Sequence, residues 1–591
     1  MNSPAWEPVA ASRNVVPFVN PAAEADPVPT DRSDGLPKGY HLRDDGIWMD
    51  QVDDDGHFET IRLCAPFRVS ATCCRSDGGG WARVVEFEDS AGHEHKVFIE
   101  EASFAVAPQK ILATLVDQGL VTEPDEQADK ALKALLRAWR PDRRLLLVDA
   151  HGWVDERYET FVLPDGRVLG NTPVVTRLAQ ASGSGPEKGS PETWKAEVAS
   201  RCLGNPVPVL AVCQALTGPL LQPLGLGGGG FHLWGASTCG KSTLMDVALS
   251  VWGSPTGFLS WRATDNGLEA SAASRSGMLL ALDEIGEALS PRVAGEAVYV
   301  LANGRPKQRM GRDGTARNAA RWHVALLSNG EISFQEYMAI GRRTTYAGQE
   351  VRLLDLNVEG RAYGAFDTLH GEAGAREFAE ALSRFAAEAY GHAGAAFVAS
   401  LIPTLKKREV LRRYMQSFCT AAIKRFGLSS DGQTMRMLTR FGVCALAGEL
   451  ASRAGVTGWP SGTAYNAMLE LVGLWVRGAD RATKSEVDTV LDRTRAYLRA
   501  SATSRLLPVG VSGQPLLDGW RDAEIYYLLP ETWRQIHAGG NPVEAARLLR
   551  AAGLLQCNDT RTCQYRMGRN VPGRPRTYAV RSRILDEDAG S

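Results

Sequence analysis

Residues Gly235-Ala236-Ser237-Thr238-Cys239-Gly240-Lys241-Ser242 spell GxxxxGK[ST], between the apolar run Phe231-His-Leu-Trp234 and the helical run Thr243 to Ser250. A phosphate-cradling loop needs this strand–loop–helix context. Two glycines let the backbone wrap an oligophosphate, amides and a helix N-terminus face its oxygens, a lysine reaches the β and γ phosphates, and a hydroxyl holds magnesium. The stretch therefore predicts that Gly235 through Thr243 bind ATP, with Lys241 on the terminal phosphates and Ser242 on Mg2+.

Working outward, Met278-Leu-Leu-Ala-Leu282 is apolar and ends in Asp283-Glu284, the pattern of a buried parallel strand carrying carboxylates at its C-terminal edge. The 42 residues from Lys241 to Asp283 leave room for a helix and an intervening strand. In this Walker B reading Asp283 holds Mg2+ through water. Glu284 orients and deprotonates the attacking water, which favours hydrolysis over transfer to a substrate. A solvent-exposed acidic strand end would carry the same residues. A third run, Trp322 to Leu327, ends in Ser328-Asn329. An amide there can bond the γ-phosphate or the water, the role called sensor 1 in AAA+ ATPases, and Asn329 is the candidate; Ser-Asn-Gly also reads as a plain turn. Arg352 precedes one more apolar run, Leu353 to Leu356. In a ring its guanidinium would reach the neighbour's nucleotide and stabilise charge developing on the γ-phosphoryl. Arg342 and Arg343 compete for that role, and Arg436 or Arg440 could also contact nucleotide.

Composition bounds the rest. The 591 residues should divide into about three or four domains. Hydrophobic residues make up 44% and charged residues 23%. Neither a membrane span nor a secretory leader is visible, which implies the cytoplasm and no membrane partner. The ten cysteines form no CxxC pair, so a zinc ribbon or disulfide framework is not expected. Net charge is −2, so nucleic-acid contacts must come from local patches. One patch, Lys307, Arg309, Arg312 and Arg317, surrounds the turn signal Asp313-Gly314 and predicts a basic hairpin coupled to the γ-phosphate sensor; a solvated turn with paired arginines is the alternative. The other is C-terminal and includes Arg566, Arg574 and Arg576. It follows two helical segments and a ribbon that together predict a winged helix, a module that binds duplex DNA or serves as a protein contact.

The expected architecture is α/β. It comprises a disordered lead (1–36), an N-terminal α+β domain (37–195), a P-loop AAA+ core of parallel sheet flanked by helices (196–362), a helical lid region (363–508) and a winged-helix-like domain (509–591). Within the lid, separate helices are expected at Ala464 to Val476 and Ser485 to Ala500.

With these residues assembled, the chain resembles the family catalogued as domain of unknown function 927. The matching stretches are Trp261-Arg-Ala-Thr-Asp-Asn-Gly-Leu-Glu269, Leu282-Asp-Glu-Ile-Gly286, Leu301-Ala-Asn-Gly304 with Lys307-Gln-Arg309, Ala347-Gly-Gln-Glu-Val-Arg352, and Ala447-Gly-Glu-Leu450 with Gly458-Trp-Pro460. They span roughly residues 40 to 500. Some members resemble the MCM-like helicases that replicate staphylococcal cassette elements as hexameric rings. The resemblance implies a hexameric DNA helicase of a mobile element or phage, passing one strand through a ring channel. The spacing by itself reaches only a Mg2+-dependent ATPase with basic appendages. An ATP-switched DNA-binding or assembly factor without unwinding activity is the competing reading, and a small-molecule kinase is disfavoured by Glu284.

Overall fold

Alternating apolar residues turn the first part of the chain into short strands. The computed structural model describes residues 35–52, 57–178, 187–306, 321–340, 352–511, 518–538, 541–569, 571 and 573–586. They divide into two compact units. In the first unit, β1 (Tyr40–Arg43), β2 (Gly46–Val52) and β3 (Phe58–Cys64) make an antiparallel meander. In β4 (Phe67–Cys74), Phe67, Val69, Ala71 and Cys73 are buried and the residues between them are not. It pairs with β5 (Ala82–Glu88), which pairs with β6 (Glu94–Glu100). On the other side of β4 lies β7 (Arg144–Val148). A separate antiparallel trio, β8 (Gly152–Trp153), β9 (Thr160–Val162) and β10 (Val168–Gly170), precedes β11 (Val174–Thr176), which completes the five-stranded order β11-β7-β4-β5-β6.

The helix Glu126–Ala138 buries Ala128, Leu132, Leu135 and Leu136 in a core shared with Phe67, Val85 and Trp139. Its N-terminus is capped by Asp125, whose carboxylate accepts from the Ala128 amide at 3.0 Å. Residues Ala273–Gly277 and Ala395–Lys406 belong to this unit as well.

The second unit is built on a fully parallel sheet: β12 (Gly229–Trp234), β13 (Leu259–Ser260), β14 (Leu279–Asp283), β15 (Ala325–Gly330) and β16 (Leu353–Asn357), in the order β13-β14-β15-β12-β16. The strand β15 thus lies between β12 and β14. The register pairs Leu282 with Ser328 and Leu233 with Asn329, so Asp283 comes next to Asn329 at one edge of the sheet. In open parallel sheets that C-terminal edge is where ligands bind.

Behind the sheet runs the helix Pro206–Leu224, apolar on every side and almost wholly buried, as an interior helix must be. It is long and apolar enough to cross a bilayer, yet 94% of its apolar window is buried inside the fold. One polar group on it, Gln214, is satisfied by donating to Gly229 O at 3.1 Å and Leu326 O at 2.9 Å, tying β12 to β15. A Cβ at Gly230 would stand 1.8 Å from Leu326 O, so only glycine allows this approach.

Beyond the sheet the second unit becomes helical: Ala375–Glu388, Arg408–Phe426, Gly432–Arg453 and Thr463–Arg505. The last corrects the expectation of two helices, because the backbone continues through the polar stretch between them. That stretch holds no proline, and a lone glycine such as Gly478 costs only about 1 kcal/mol in a helix. The chain ends in β17 (Leu506–Pro508), β18 (Gly519–Arg521), β19 (Ile525–Leu528), β20 (Leu555–Gln556), β21 (Tyr565–Arg566) and β22 (Arg576–Arg581), with helices Pro530–Ile536 and Pro542–Ala551 between β19 and β20. The strands follow the order β17-β18-β19-β22-β20, and β21 also pairs with β22. Trp533 stacks on Tyr578 at 4.7 Å in the core beneath.

Candidate functional site

The Gly235–Ser242 loop leaves the C-terminal end of β12 and runs into the helix Lys241–Ser250. Gly240 begins that helix at φ +102°, a conformation open to glycine, and a Cβ there would meet the Phe366 ring at 2.8 Å. Ala236, Ser237 and Thr238 form the exposed crest of the loop, and Ser242 is exposed beside it. Lys241 is buried and turns back on the loop, donating to Gly235 O at 2.8 Å and Ala236 O at 2.7 Å, with Cys239 Sγ at 3.8 Å. The Thr243 hydroxyl is engaged by the helix Ala375–Glu388 through Ala379 O at 3.4 Å and Ser383 Oγ at 3.2 Å.

Asp283, Glu284 and Asn329 come together because neighbouring strands end side by side. Asn329 Nδ2 donates to Asp283 Oδ1 at 2.7 Å, and its Oδ1 accepts from the Glu284 amide at 2.7 Å. One buried amide thus fixes both acidic positions. Glu284 sits at φ 49°, a backbone conformation costing a non-glycine residue about 1 kcal/mol or more, and its Oε1 accepts from Gly286 N at 3.1 Å. Strain of this kind concentrates at functional sites.

Two features here escaped the sequence reading. Asp246, on the helix that follows the loop, has its carboxyl pushed up to about 6 by burial and by the nearby Asp283 charge; no motif marks it, since its proximity to Asp283 arises only when the helix packs against β14. Under the strand ends, Trp261 Nε1 donates to Ser328 Oγ at 2.8 Å, and His232 contacts the same hydroxyl at 3.0 Å. The other ring nitrogen of His232 lies 3.0 Å from Ile332 O, which requires that nitrogen to donate. Burial, with the Lys241 charge adding to it, holds His232 down at about 4, so the ring is neutral.

Arg352 is not brought to the loop. It precedes β16, at the end of the sheet opposite Lys241, with its guanidinium 4.4 Å over the Tyr299 ring and 2.9 Å from Asn303 Oδ1. Arg436 and Arg440 join it around a cavity of about 430 Å3 beside Gly227 and Gly228. Arg440 donates to Gly227 O at 2.9 Å and also to Gly228 O; burial and the charge of Arg352 lower it to about 10. Lys307, Arg309, Arg312 and Arg317 lie outside the described residues, as do Arg342 and Arg343.

At the C-terminus, Arg566, Arg574 and Arg576 are exposed on the β21–β22 ribbon, with Arg576 3.6 Å from Asp559. The adjacent helix Pro542–Ala551 exposes Val543, Arg547 and Arg550 on one face. The sequence reading passed over Arg547 and Arg550, although their i, i+3 spacing on a helix with buried Ala545, Ala546 and Leu549 was available to find them.

No curated protein matches the chain. Among solved structures the fold is similar to one described as "SCCmec type IV Cch - active helicase", with a TM-score of 0.66 over 93% of this chain and 98% of that one. At 17% identity this likeness shows a shared fold. The family match ends at residue 321, well before position 500, to which the quoted motifs roughly extend. Residues 40–321 of this chain match the family model described as Domain of unknown function (DUF927).

Proposed function

We propose that the chain is a Mg2+-dependent ATPase that translocates along DNA and unwinds it as a ring, with nucleotide held between copies. The observation that carries this reading is the convergence, at one edge of a parallel sheet, of the Gly235–Ser242 loop and the Asp283–Asn329–Glu284 constellation. The residues fit a magnesium-bound triphosphate: loop amides lie at a helix N-terminus, with the Lys241 ammonium, the exposed Ser242 hydroxyl and the carboxylates of Asp283 and Glu284 at the same edge of the sheet. Gly235, Ala236, Ser237, Thr238, Cys239, Gly240 and Thr243 would supply backbone contacts, Lys241 the charge, and Ser242 and Asp283 the ion's ligands. Magnesium would supply charge neutralisation on the phosphate oxygens. Glu284 takes a proton from water, and Asn329 holds Glu284 and Asp283 at fixed spacing while it does so.

Arg352 faces away from its own chain's loop, so its contribution to hydrolysis requires a second copy. A ring, hexameric as in the relatives implied by the motifs, satisfies that requirement. DNA is the polymer favoured by the fold's likeness to a structure described as a helicase. We read the C-terminal sheet and helices as a winged helix and assign duplex binding to Arg547, Arg550, Arg566, Arg574 and Arg576. The segment with Lys307, Arg309, Arg312 and Arg317 is proposed to grip the single strand.

A forked-DNA assay with wild type and Lys241→Ala, run beside mass measurement with and without ATP, tests the reading. Strand separation and a nucleotide-dependent oligomer in wild type alone are expected. Neither in wild type, with Mg2+ present at several salt concentrations, would overturn it in favour of an ATP-switched DNA-binding factor, which the compact arginine-bearing C-terminal module would equally serve.

A further inference from the structure

The segment that leaves β16 doubles back over the Gly235–Ser242 loop. Val358 N donates to Trp234 O at 3.0 Å, extending the pairing with β12 to the point where the loop begins. Asn357 Oδ1 then accepts from Glu359 N at 2.7 Å, and Gly360 turns the chain at φ +83°. Further on, Ala365 N donates to Cys239 O at 2.9 Å, and Gly364 passes so close that a Cβ would stand 2.7 Å from the same oxygen. Phe366 lies against Gly240 and packs edge-on against Phe378 at 4.9 Å.

The far end of this strap is anchored as firmly. Asn205 Oδ1 accepts from Asp367 N at 2.8 Å and Thr368 N at 2.9 Å. Arg361, largely buried, bonds Asp367 at 2.5 Å and also Glu470 of the long helix Thr463–Arg505. Glu359 is therefore held by contacts on both sides of it. Its carboxylate accepts a hydrogen bond from the Ala236 amide, and its Cγ would be 2.8 Å from a Cβ on Gly235.

An amide on the crest of a phosphate-binding loop is a donor aimed at an anionic oxygen. Here the oxygen it meets belongs to the chain's own carboxylate. We propose that Glu359 is a built-in phosphate mimic: it occupies the Ala236 amide with an anion of the same sign as the ligand, so that a nucleotide phosphate binds only by displacing it. The proposal rests on the nucleotide-binding reading of the loop and adds a regulation to it. Two consequences follow from charge alone. Phosphate entry breaks one charge-assisted hydrogen bond before it makes another. A carboxylate that stays nearby also repels the triphosphate. Both keep nucleotide affinity below what the loop would otherwise reach. Because Arg361 ties the same strap to Glu470, displacing Glu359 also bears on the long helix.

Equilibrium binding of a fluorescent ATP analogue to the full chain, as wild type, Glu359→Gln and Glu359→Ala, tests this without recourse to turnover, with unlabelled inorganic tripolyphosphate as competitor. The glutamine keeps the shape and removes the charge, and the alanine removes both. Thermal melts of the same samples identify which variants are folded. Both variants are expected to bind the analogue about 10-fold more tightly than wild type. Tripolyphosphate should gain by the same factor, because the competition is for a phosphate site. Unchanged or weaker affinity in the folded glutamine variant, while wild type binds and Lys241→Ala does not, would overturn the mimic and leave the ATPase reading standing. A gain for the nucleotide without one for tripolyphosphate would also overturn it. Absence of nucleotide binding in wild type and every variant would remove the ATPase reading, and the mimic with it.

Discussion

A single carboxamide, that of Asn329, bonds the side chain of Asp283 and the backbone of Glu284. Removing it does two things at once: it leaves the Asp283 carboxylate one partner short and frees a strained backbone at Glu284. Asn329→Ala is expected to lower ATP turnover by about 100-fold, and Glu284→Gln by at least as much. Both should retain nucleotide binding, because neither residue belongs to the loop; steady-state hydrolysis beside equilibrium nucleotide binding separates the two effects. A further test at this scale concerns acid stability. His232 is neutral and buried, with its folded value near 4 against an ordinary 6.5. A depressed folded value stabilises the fold above about pH 6.5, and that contribution is lost as pH falls through about 4. Thermal melts from pH 7.5 to 4.5 should show falling stability in wild type and a shallower fall in His232→Gln, which cannot take up the proton.

At the scale of elements, function follows from strand order more than from any one strand. With β15 between β12 and β14, the Asn329 amide reaches across to β14 while the loop opens on its other side. Had β14 paired directly with β12, Asn329 would lie outside the pair. The C-terminal elements make their own case: the helix Pro542–Ala551 and the β21–β22 ribbon expose Arg547, Arg550, Arg566 and Arg574. Arg547 is paired 3.1 Å from Glu544 at the rim of the helix, a contact worth less than about 1 kcal/mol that a phosphate can replace. Reversing Arg547 and Arg574 to glutamate should weaken duplex binding by about 10-fold or more and flatten its salt dependence, with ATP binding unchanged. Titration of a labelled duplex at several salt concentrations measures both.

At the scale of the whole molecule, the separation of Arg352 from the loop gives the proposed ring a testable consequence. The two stand at opposite ends of one sheet, so in the proposed ring the arginine that reaches a given loop comes from a second copy. Arg352→Ala is expected to lower hydrolysis by about 1,000-fold. Mixed with Lys241→Ala, it should regain part of that activity: a neighbour carrying an intact loop meets one carrying an intact arginine. Turnover measured across mixing ratios checks this, and a strictly additive response would argue for chains acting alone.

The candidate loop and the strands around it are legible from the residues alone. Glycine spacing, a lysine and a hydroxyl at a helix start, and apolar runs ending in Asp283-Glu284 and Ser328-Asn329 are short-range patterns, and such patterns survive without tertiary context. The long helix Thr463–Arg505 was legible only in halves, because the polar stretch joining them has no periodicity to read. Tertiary structure alone decided which residues became neighbours across distance. It set Asp246 against Asp283, His232 and Trp261 on one Ser328 hydroxyl, Arg352 beside Arg440, and Glu359 on the Ala236 amide. These meetings depend on strand order and on the path of the strap after β16. They join residues far apart in the chain, and no local propensity encodes them.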